Sequence, residues 1–306
     1  MRILIAGAAG FAGRHLTESL YQRGHEVFPA DIRPDENAPC RLDICDRKNV
    51  DAVLKASKPD AVVLLSGMSS VGASWKDPAG TFQTNTAGAL NLFSAVQESF
   101  PEAKFIFAGS AEEYGRPSAV PLSEDDLCTP SNPYALSKNS AGNAMAMMAE
   151  KQGTAFIHLR LANHFGPGQN PGFVIPDFAS QIALKMLKHD NSDIVAGNLE
   201  AKRDFLYIDD VIDAYIRIIE AQESKHTVYN IGSGRTISIR AMLDTLINLA
   251  GISSKIVIDP GKFRPADTTG TALDISRMKD DFNWRPRTDL KTALQLTLDS
   301  WLKKLS

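Results

Sequence analysis

Apolar residues recur along the first half of the chain with two alternating periods. Strand-length runs rich in aliphatic residues occupy 2–6, 25–30, 61–65, 104–108 and 155–160. Between them, 11–23, 46–57, 80–99 and 133–152 carry helical spacing, as in Phe11, Leu16 and Leu20. Strands that are apolar on both faces and alternate with helices predict a parallel sheet covered on each side. The expected fold class is α/β, a doubly wound sheet.

Beyond residue 165 the pattern loosens. The stretch 166–172, GPGQNPG, is punctuated as a loop. Helices are expected at 176–188, 209–222, 238–250 and 290–305, with short strands near 194–196, 227–231 and 255–258. This less regular spacing predicts a first domain over 1–165 and a smaller C-terminal lobe over 166–306, interleaved with it. No repeat or low-complexity linker separates the two.

Composition narrows the class further. With 43% hydrophobic and 23% charged residues, the 306-residue chain has the mixture and length of a soluble globular protein with a substantial core. A net charge of −3 offers no field to attract nucleic acid or an anionic membrane. No apolar run is long enough to span a bilayer, and the first one, broken by Gly7 and Gly10, is too short for a secretory signal. Cys40, Cys45 and Cys128 are odd in number and lack CxxC spacing. Neither a disulfide framework nor a zinc site is expected, and the cytoplasm is the expected location.

The first candidate chemistry lies between the first strand and the first helix. Gly7-Ala8-Ala9-Gly10-Phe11-Ala12-Gly13 places glycines for a tight turn, for close approach of backbone to a pyrophosphate, and for packing of helix on strand. The free N–H groups of the helix N-terminus then face the phosphates. That context predicts a Rossmann-type dinucleotide site. Asp31 follows Gly13 by 18 residues, where an acid binds the adenosine ribose, and favours NAD(H). Arg33 keeps NADP(H) open by offering a partner to a 2′-phosphate. In Leu42-Asp43-Ile44, Asp43 is either an adenine contact or a helix N-cap. Leu65, Ser66 and Gly67 end a strand where the backbone must lie close to the cofactor.

The second is Tyr134-Ala135-Leu136-Ser137-Lys138, which sets a phenol and an ammonium one helical turn apart. A free phenol ionises near 10, and a neighbouring ammonium favours the phenolate, bringing it towards the working range. Lys138 also has the reach to hold the nicotinamide ribose. Ser110, just after the 104–108 strand, is placed to hydrogen-bond a substrate oxygen beside Tyr134.

Taken in order, GxxGxxG, Ser110 and YxxxK resemble the extended short-chain dehydrogenase/reductase superfamily of sugar-nucleotide epimerases, dehydratases and reductases. The resemblance spans essentially the whole chain and extends to Asn85-Thr86-Ala87-Gly88, Gly109-Ser110-Ala111-Glu112-Glu113-Tyr114-Gly115 and Arg203-Asp204-Phe205 with Asp209-Asp210-Val211. Asn163-His164-Phe165-Gly166-Pro167-Gly168-Gln169, Gly172-Phe173-Val174 and Gly197-Asn198-Leu199-Glu200 are most similar to the reductases of GDP-linked 4-keto-6-deoxyhexoses.

The resemblance implies NAD(P)H-dependent reduction of the C4 ketone of such a sugar, giving GDP-D-rhamnose, with Ser110, Tyr134 and Lys138 as catalytic residues. It implies cofactor contacts at Ile44 and Leu161 as well. Asn163 would approach the sugar diphosphate, and Arg203 and Arg264 would pair with its phosphates through their planar forks. Val174, Gly197 and Asn198 would line the nucleotide pocket, and Asp267 would contact the ribose. Glu112 stands where related 4,6-dehydratases carry the acid that moves the C5 proton, which leaves GDP-mannose 4,6-dehydration, or another sugar-nucleotide epimerase or dehydratase activity, as the alternative; in a reductase it would hydrogen-bond a sugar hydroxyl. No metal is expected. A homodimer is implied through the helices 80–99 and 133–152, with Ala141, Ala144, Met145 and Met148 as packing residues.

Overall fold

The aliphatic runs become strands whose side chains are buried on both faces. They are seen in a computed structural model that describes residues 1–115, 121–188, 192–263 and 272–306. The chain opens with β1 (Arg2–Ala6), α1 (Phe11–Gln22), β2 (Glu26–Asp31), β3 (Cys40–Arg41), α2 (Arg47–Ser57) and β4 (Ala61–Leu64). There follow α3 (Val71–Lys76), α4 (Pro78–Phe82), α5 (Ala89–Ser99), β5 (Lys104–Ala108), α6 (Pro133–Gln152) and β6 (Phe156–Leu161). Then come β7 (Asn163–Phe165), α7 (Val174–Lys188), β8 (Ile194–Ala196), β9 (Lys202–Arg203), β10 (Phe205–Tyr207), α8 (Ile208–Glu220) and β11 (Val228–Ile231). The last elements are β12 (Ile237–Ser238), α9 (Ile239–Ala250), β13 (Ile256–Ile258), α10 (Ser276–Phe282) and α11 (Leu290–Leu305).

Seven strands form one sheet in the order β11-β6-β5-β4-β1-β2-β3, and every pairing in it is parallel. Alternate residues serve opposite layers, as strand geometry requires. Ile3, Ile5 and Val63 join a core with α1 and α8 that continues into α7, α9 and α11. Leu4, Val62 and Leu64 pack against α2, α5 and α6 on the other side. Strand order reverses between β1 and β4, which opens a crevice at their C-terminal ends.

Two expectations from the sequence change. The strand expected near 227–231 belongs to the large sheet, where Val228–Ile231 pairs with His158–Leu161 of β6. A short apolar run carries no information about its partner, so only the fold reveals this. The helix expected over 80–99 is interrupted by a π-helical turn at Gln83–Gly88. There Asn85 is drawn into the interior by three hydrogen bonds: Oδ1 accepts from Met68 N at 2.8 Å, and Nδ2 donates to the Met68 carbonyl and to Ser137 Oγ, both at 3.0 Å. Such turns often mark functional sites.

Candidate active site

The nucleotide end of the crevice is built from backbone. Gly7, at φ +98°, turns the chain out of β1, and its N–H bonds the Ala30 carbonyl at 2.8 Å. A β-carbon there would lie 2.6 Å from Ser66 N, so only glycine lets the β1 and β4 exits meet. The N-cap of α1 is Gly10, which supplies no side-chain acceptor to the first turn. A cradle that a side chain would fill, facing an uncapped helix start, fits a dinucleotide pyrophosphate.

Asp31 ends β2, and its carboxylate accepts from Ala9 N at 3.3 Å and Arg33 N at 3.1 Å. Arg33 itself is exposed. Arg14, in the first turn of α1, carries no motif that singles it out in the sequence: its Nε donates to the Ala9 carbonyl at 2.9 Å and its guanidinium pairs with Asp35 at 2.5 Å. Asp43 is not the cap of α2. That role falls to Asp46, which accepts from Lys48 N and Asn49 N, while Asp43 accepts from Cys45 N at 3.0 Å. Ile44 is buried in the core against Gly88. Leu65 and Leu161 are half-buried and pack on the core at the ends of their strands. Phe11 stacks on His164 with centroids 6.0 Å apart, and burial pushes that imidazole towards its neutral form. Ala12 packs beside the same core.

The proton-transfer end lies where α6 starts. Asn132 caps α6 by accepting from Ala135 N at 2.8 Å, Pro133 pre-sets its first turn, and the Tyr134 N–H donates to Ser74 Oγ at 3.2 Å. The helix holds Tyr134 close enough to Ser110 for the serine side chain to act on the phenol. Burial pushes the Tyr134 phenol up to about 12; the Ser110 bond pulls it down, and the charges of Glu113 and Glu112 push it up. Lys138 is nearly sealed from solvent, and its Nζ donates to the Ala108 carbonyl at 2.9 Å and lies 4.9 Å from the Phe107 ring centre. Burial brings its ammonium down to about 8, with Glu113 opposing.

The Lys138 ammonium is tied to the carbonyl at the end of β5 and lies at the crevice wall, where a β-carbon on Gly67 would come within 3.3 Å of its Nζ.

The two acids after Ser110 part company. Glu112 is half-buried, and its Oε2 accepts from Asn132 Nδ2 at 3.2 Å, tying it to the cap of α6. Glu113 is wholly buried and bonded to the Ser110 N–H. The sequence alone assigns Glu113 no role, because two adjacent acids carry no signal of which one turns inward.

The residues expected to bind substrate lie on short strands of the second half. Asn163 is exposed in β7, in register with Phe205 of β10, two residues beyond Arg203. Arg203 pairs with Ile237 of β12 and is largely buried. Between them Asp204, also unassigned from sequence, accepts from Ser233 N at 2.7 Å, Ser233 Oγ at 2.6 Å, Gly234 N at 3.1 Å and Leu273 N at 3.3 Å. One carboxylate thus ties together the loops flanking Arg203. Val174 opens α7, and Gly197 and Asn198 follow β8, where a β-carbon on Gly197 would lie 2.9 Å from the Lys262 carbonyl. Arg264 and Asp267 lie outside the described residues. Among the described residues no cluster of metal-ligating side chains occurs, and no helix is long and apolar enough to cross a membrane.

Comparison with known proteins adds four findings. The model of the NAD dependent epimerase/dehydratase family matches residues 3–232. GDP-6-deoxy-D-mannose reductase of Pseudomonas aeruginosa is 32% identical over 98% of this chain and 97% of its own. Among solved structures, RMD from Pseudomonas aeruginosa complexed with NADPH superposes with a TM-score of 0.89 at 30% identity, covering 99% of this chain and 100% of that one. UDP-glucose 4-epimerase from Thermotoga maritima, with UDP-glucose, superposes with a TM-score of 0.91 at 28% identity over the full length of both.

Proposed function

The chain belongs to the NAD-dependent epimerase/dehydratase family, and we propose that within it the protein is a 4-ketoreductase of a GDP-linked 4-keto-6-deoxyhexose. The observation that supports this reading is the gathering of Ser110, Tyr134 and Lys138 at the crevice, with the Ser110 side chain acting on the Tyr134 phenol and the Lys138 ammonium held by the Ala108 carbonyl facing Gly67. The Gly7 cradle and Asp31 would hold NAD(P)H, which supplies the hydride when bound. Tyr134, its phenol kept protonated by burial, donates its proton to the C4 oxygen. Ser110 hydrogen-bonds the same oxygen and stabilises the charge developing on it. Lys138, fixed between Ala108 and Gly67, holds the cofactor ribose.

For the substrate, the proposed contacts are Asn163, Val174, Gly197, Asn198 and Arg203, and by resemblance Arg264 and Asp267. GDP-4-dehydro-6-deoxy-D-mannose is the proposed substrate and GDP-D-rhamnose the product, in keeping with the 32% identity to the Pseudomonas reductase. The free thiols of Cys40, Cys45 and Cys128 suit a reducing cytoplasm. The test is incubation with the keto sugar and either reduced cofactor, followed by NMR of the product. Oxidation of NADPH or NADH with formation of GDP-D-rhamnose supports the reading; keto-sugar formation from GDP-mannose without added reductant would assign dehydration instead.

A further inference from the structure

Beneath Ser110 lies a charge that the chemistry above does not call on. Glu113 is 0% exposed, and its Oε1 accepts from Ser110 N at 2.7 Å and sits 3.0 Å from His158 Nε2. Its Oε2 lies 3.7 Å from Arg160 Nε, and neither of those two atoms has a hydrogen-bond partner. His158, itself 2% exposed, is wedged between two glycines. A β-carbon on Gly109 would lie 2.2 Å from its Nε2, and one on Gly142 would lie 2.3 Å from its Cε1. Gly142 is one turn beyond Lys138 on α6. The imidazole therefore spaces the helix of Tyr134 and Lys138 from the strand that leads to Ser110.

A capping role alone does not explain the acid. Ser110 and Glu113 form a capping box around the turn Ala111–Tyr114, and a glutamine makes the same box without burying a charge. Burial pushes the Glu113 carboxyl up, but His158, the Ser110 N–H and Arg160 outweigh it and hold it below the ordinary range. The carboxylate is ionised. The other titratable groups around it are Tyr134 and Lys138 from α6, Cys128 from the loop before α6, and Glu112 and Tyr114 from its own turn.

We propose that the Glu113–His158 pair is a positioning device: one carboxylate oxygen holds the Ser110 N–H and the His158 ring together, and the ring, wedged between Gly109 and Gly142, sets the spacing between Ser110 and the helix that carries Tyr134 and Lys138. An ionised carboxylate holds both partners more firmly than a neutral amide does. The expected effect on turnover rests on the ketoreductase reading; the geometry of the pair does not.

The test has two readouts, hydrogen exchange at the Ser110 amide and the kinetics of reduction, in the wild type, Glu113→Gln and Glu113→Ala. Exchange at Ser110 should speed up by about tenfold in Glu113→Gln and by more in Glu113→Ala, the worth of a charge-assisted hydrogen bond. Reduction kcat should fall by a similar factor while KM for the cofactor holds. Unchanged exchange or an intact kcat in Glu113→Ala overturns the proposal. If neither variant folds, Glu113→Asp carries the test, since it keeps the charge but shortens the reach to Ser110: a lowered kcat with cofactor KM unchanged supports the pair, and an unchanged kcat refutes it. The exchange measurement needs no sugar. A wild type that reduces no keto sugar yet shows Glu113-dependent protection of Ser110 would remove the substrate reading and leave the pair standing.

Discussion

His158 occupies the space left by the absent side chain of Gly142, where a β-carbon would lie 2.3 Å from the imidazole Cε1. The ring cannot yield, because Glu113 holds its other edge and Gly109 backs it. Gly142→Ala would improve helix propensity by about 1 kcal/mol, while overpacking a rigid site costs about 1–3 kcal/mol. The clash should win. Chemical denaturation is expected to show a net loss of stability, and activity should fall with it; a stabilised, fully active variant would contradict this placement of His158.

Lys138 makes a prediction with a defined pH window. Its ammonium, ordinarily at 10.5, is brought down to about 8 by burial. The folded state binds that proton less well than the unfolded chain, so the fold carries a penalty below pH 8 that is relieved as pH rises towards 10.5. The shift corresponds to about 3 kcal/mol, of which the lost bond to Ala108 offsets roughly 1–2 kcal/mol. Lys138→Met should therefore be inactive yet more stable than wild type by about 1–2 kcal/mol at neutral pH. The advantage should fade as pH approaches 10.5. Urea unfolding at the two pH extremes checks it, and a variant less stable at neutral pH sinks the idea.

Cofactor choice turns on Asp31. Its carboxylate, already bonded to the Ala9 and Arg33 N–H groups, is held at the end of β2 where ribose hydroxyls would meet it. Asp31→Asn should lower kcat/KM with NADH by about tenfold or more, the worth of a charge-assisted hydrogen bond. With NADPH the loss should be smaller, since a 2′-phosphate no longer faces a like charge. Equal losses with both cofactors would show that Asp31 acts only on the glycine loop.

The subunit contact proposed from α5 and α6 needs different residues from those first expected. Ala141 and Met145 are buried in the protomer's own core. Leu136 and Met147, three turns apart on α6, are 44% and 72% exposed and lie on one helical face. We propose a homodimer through this face of α6. Sedimentation equilibrium should give a dimer for the wild type and a monomer for Met147→Glu. A monomeric wild type removes the claim.

The elements legible in the sequence were those whose signal is local. Gly7 announces a turn and a close approach by its residue type, and Tyr134 and Lys138 fall on one helical face by spacing alone. What stayed hidden depends on partners far along the chain. Val228–Ile231 reads as a short apolar run until β6 is seen beside it. Lys138 follows Tyr134 by one turn, yet its ammonium is claimed by Ala108 from another element. Glu113 differs from Glu112 only in which way a short turn points it, and Asp204 draws its donors from residues 233, 234 and 273.

The position of β11 at the rim of the sheet also constrains how the chain is made. While synthesis has passed β6 but not yet reached Val228, the strand Phe156–Leu161 has no neighbour on its outer side. Its backbone donors and acceptors, flanked by aliphatic side chains, form an open edge of the kind that captures other chains. The nascent polypeptide must shield that rim until β11 emerges and docks. A fragment released before residue 228 keeps the rim open for good, and aggregation rather than a working half-enzyme is its expected fate.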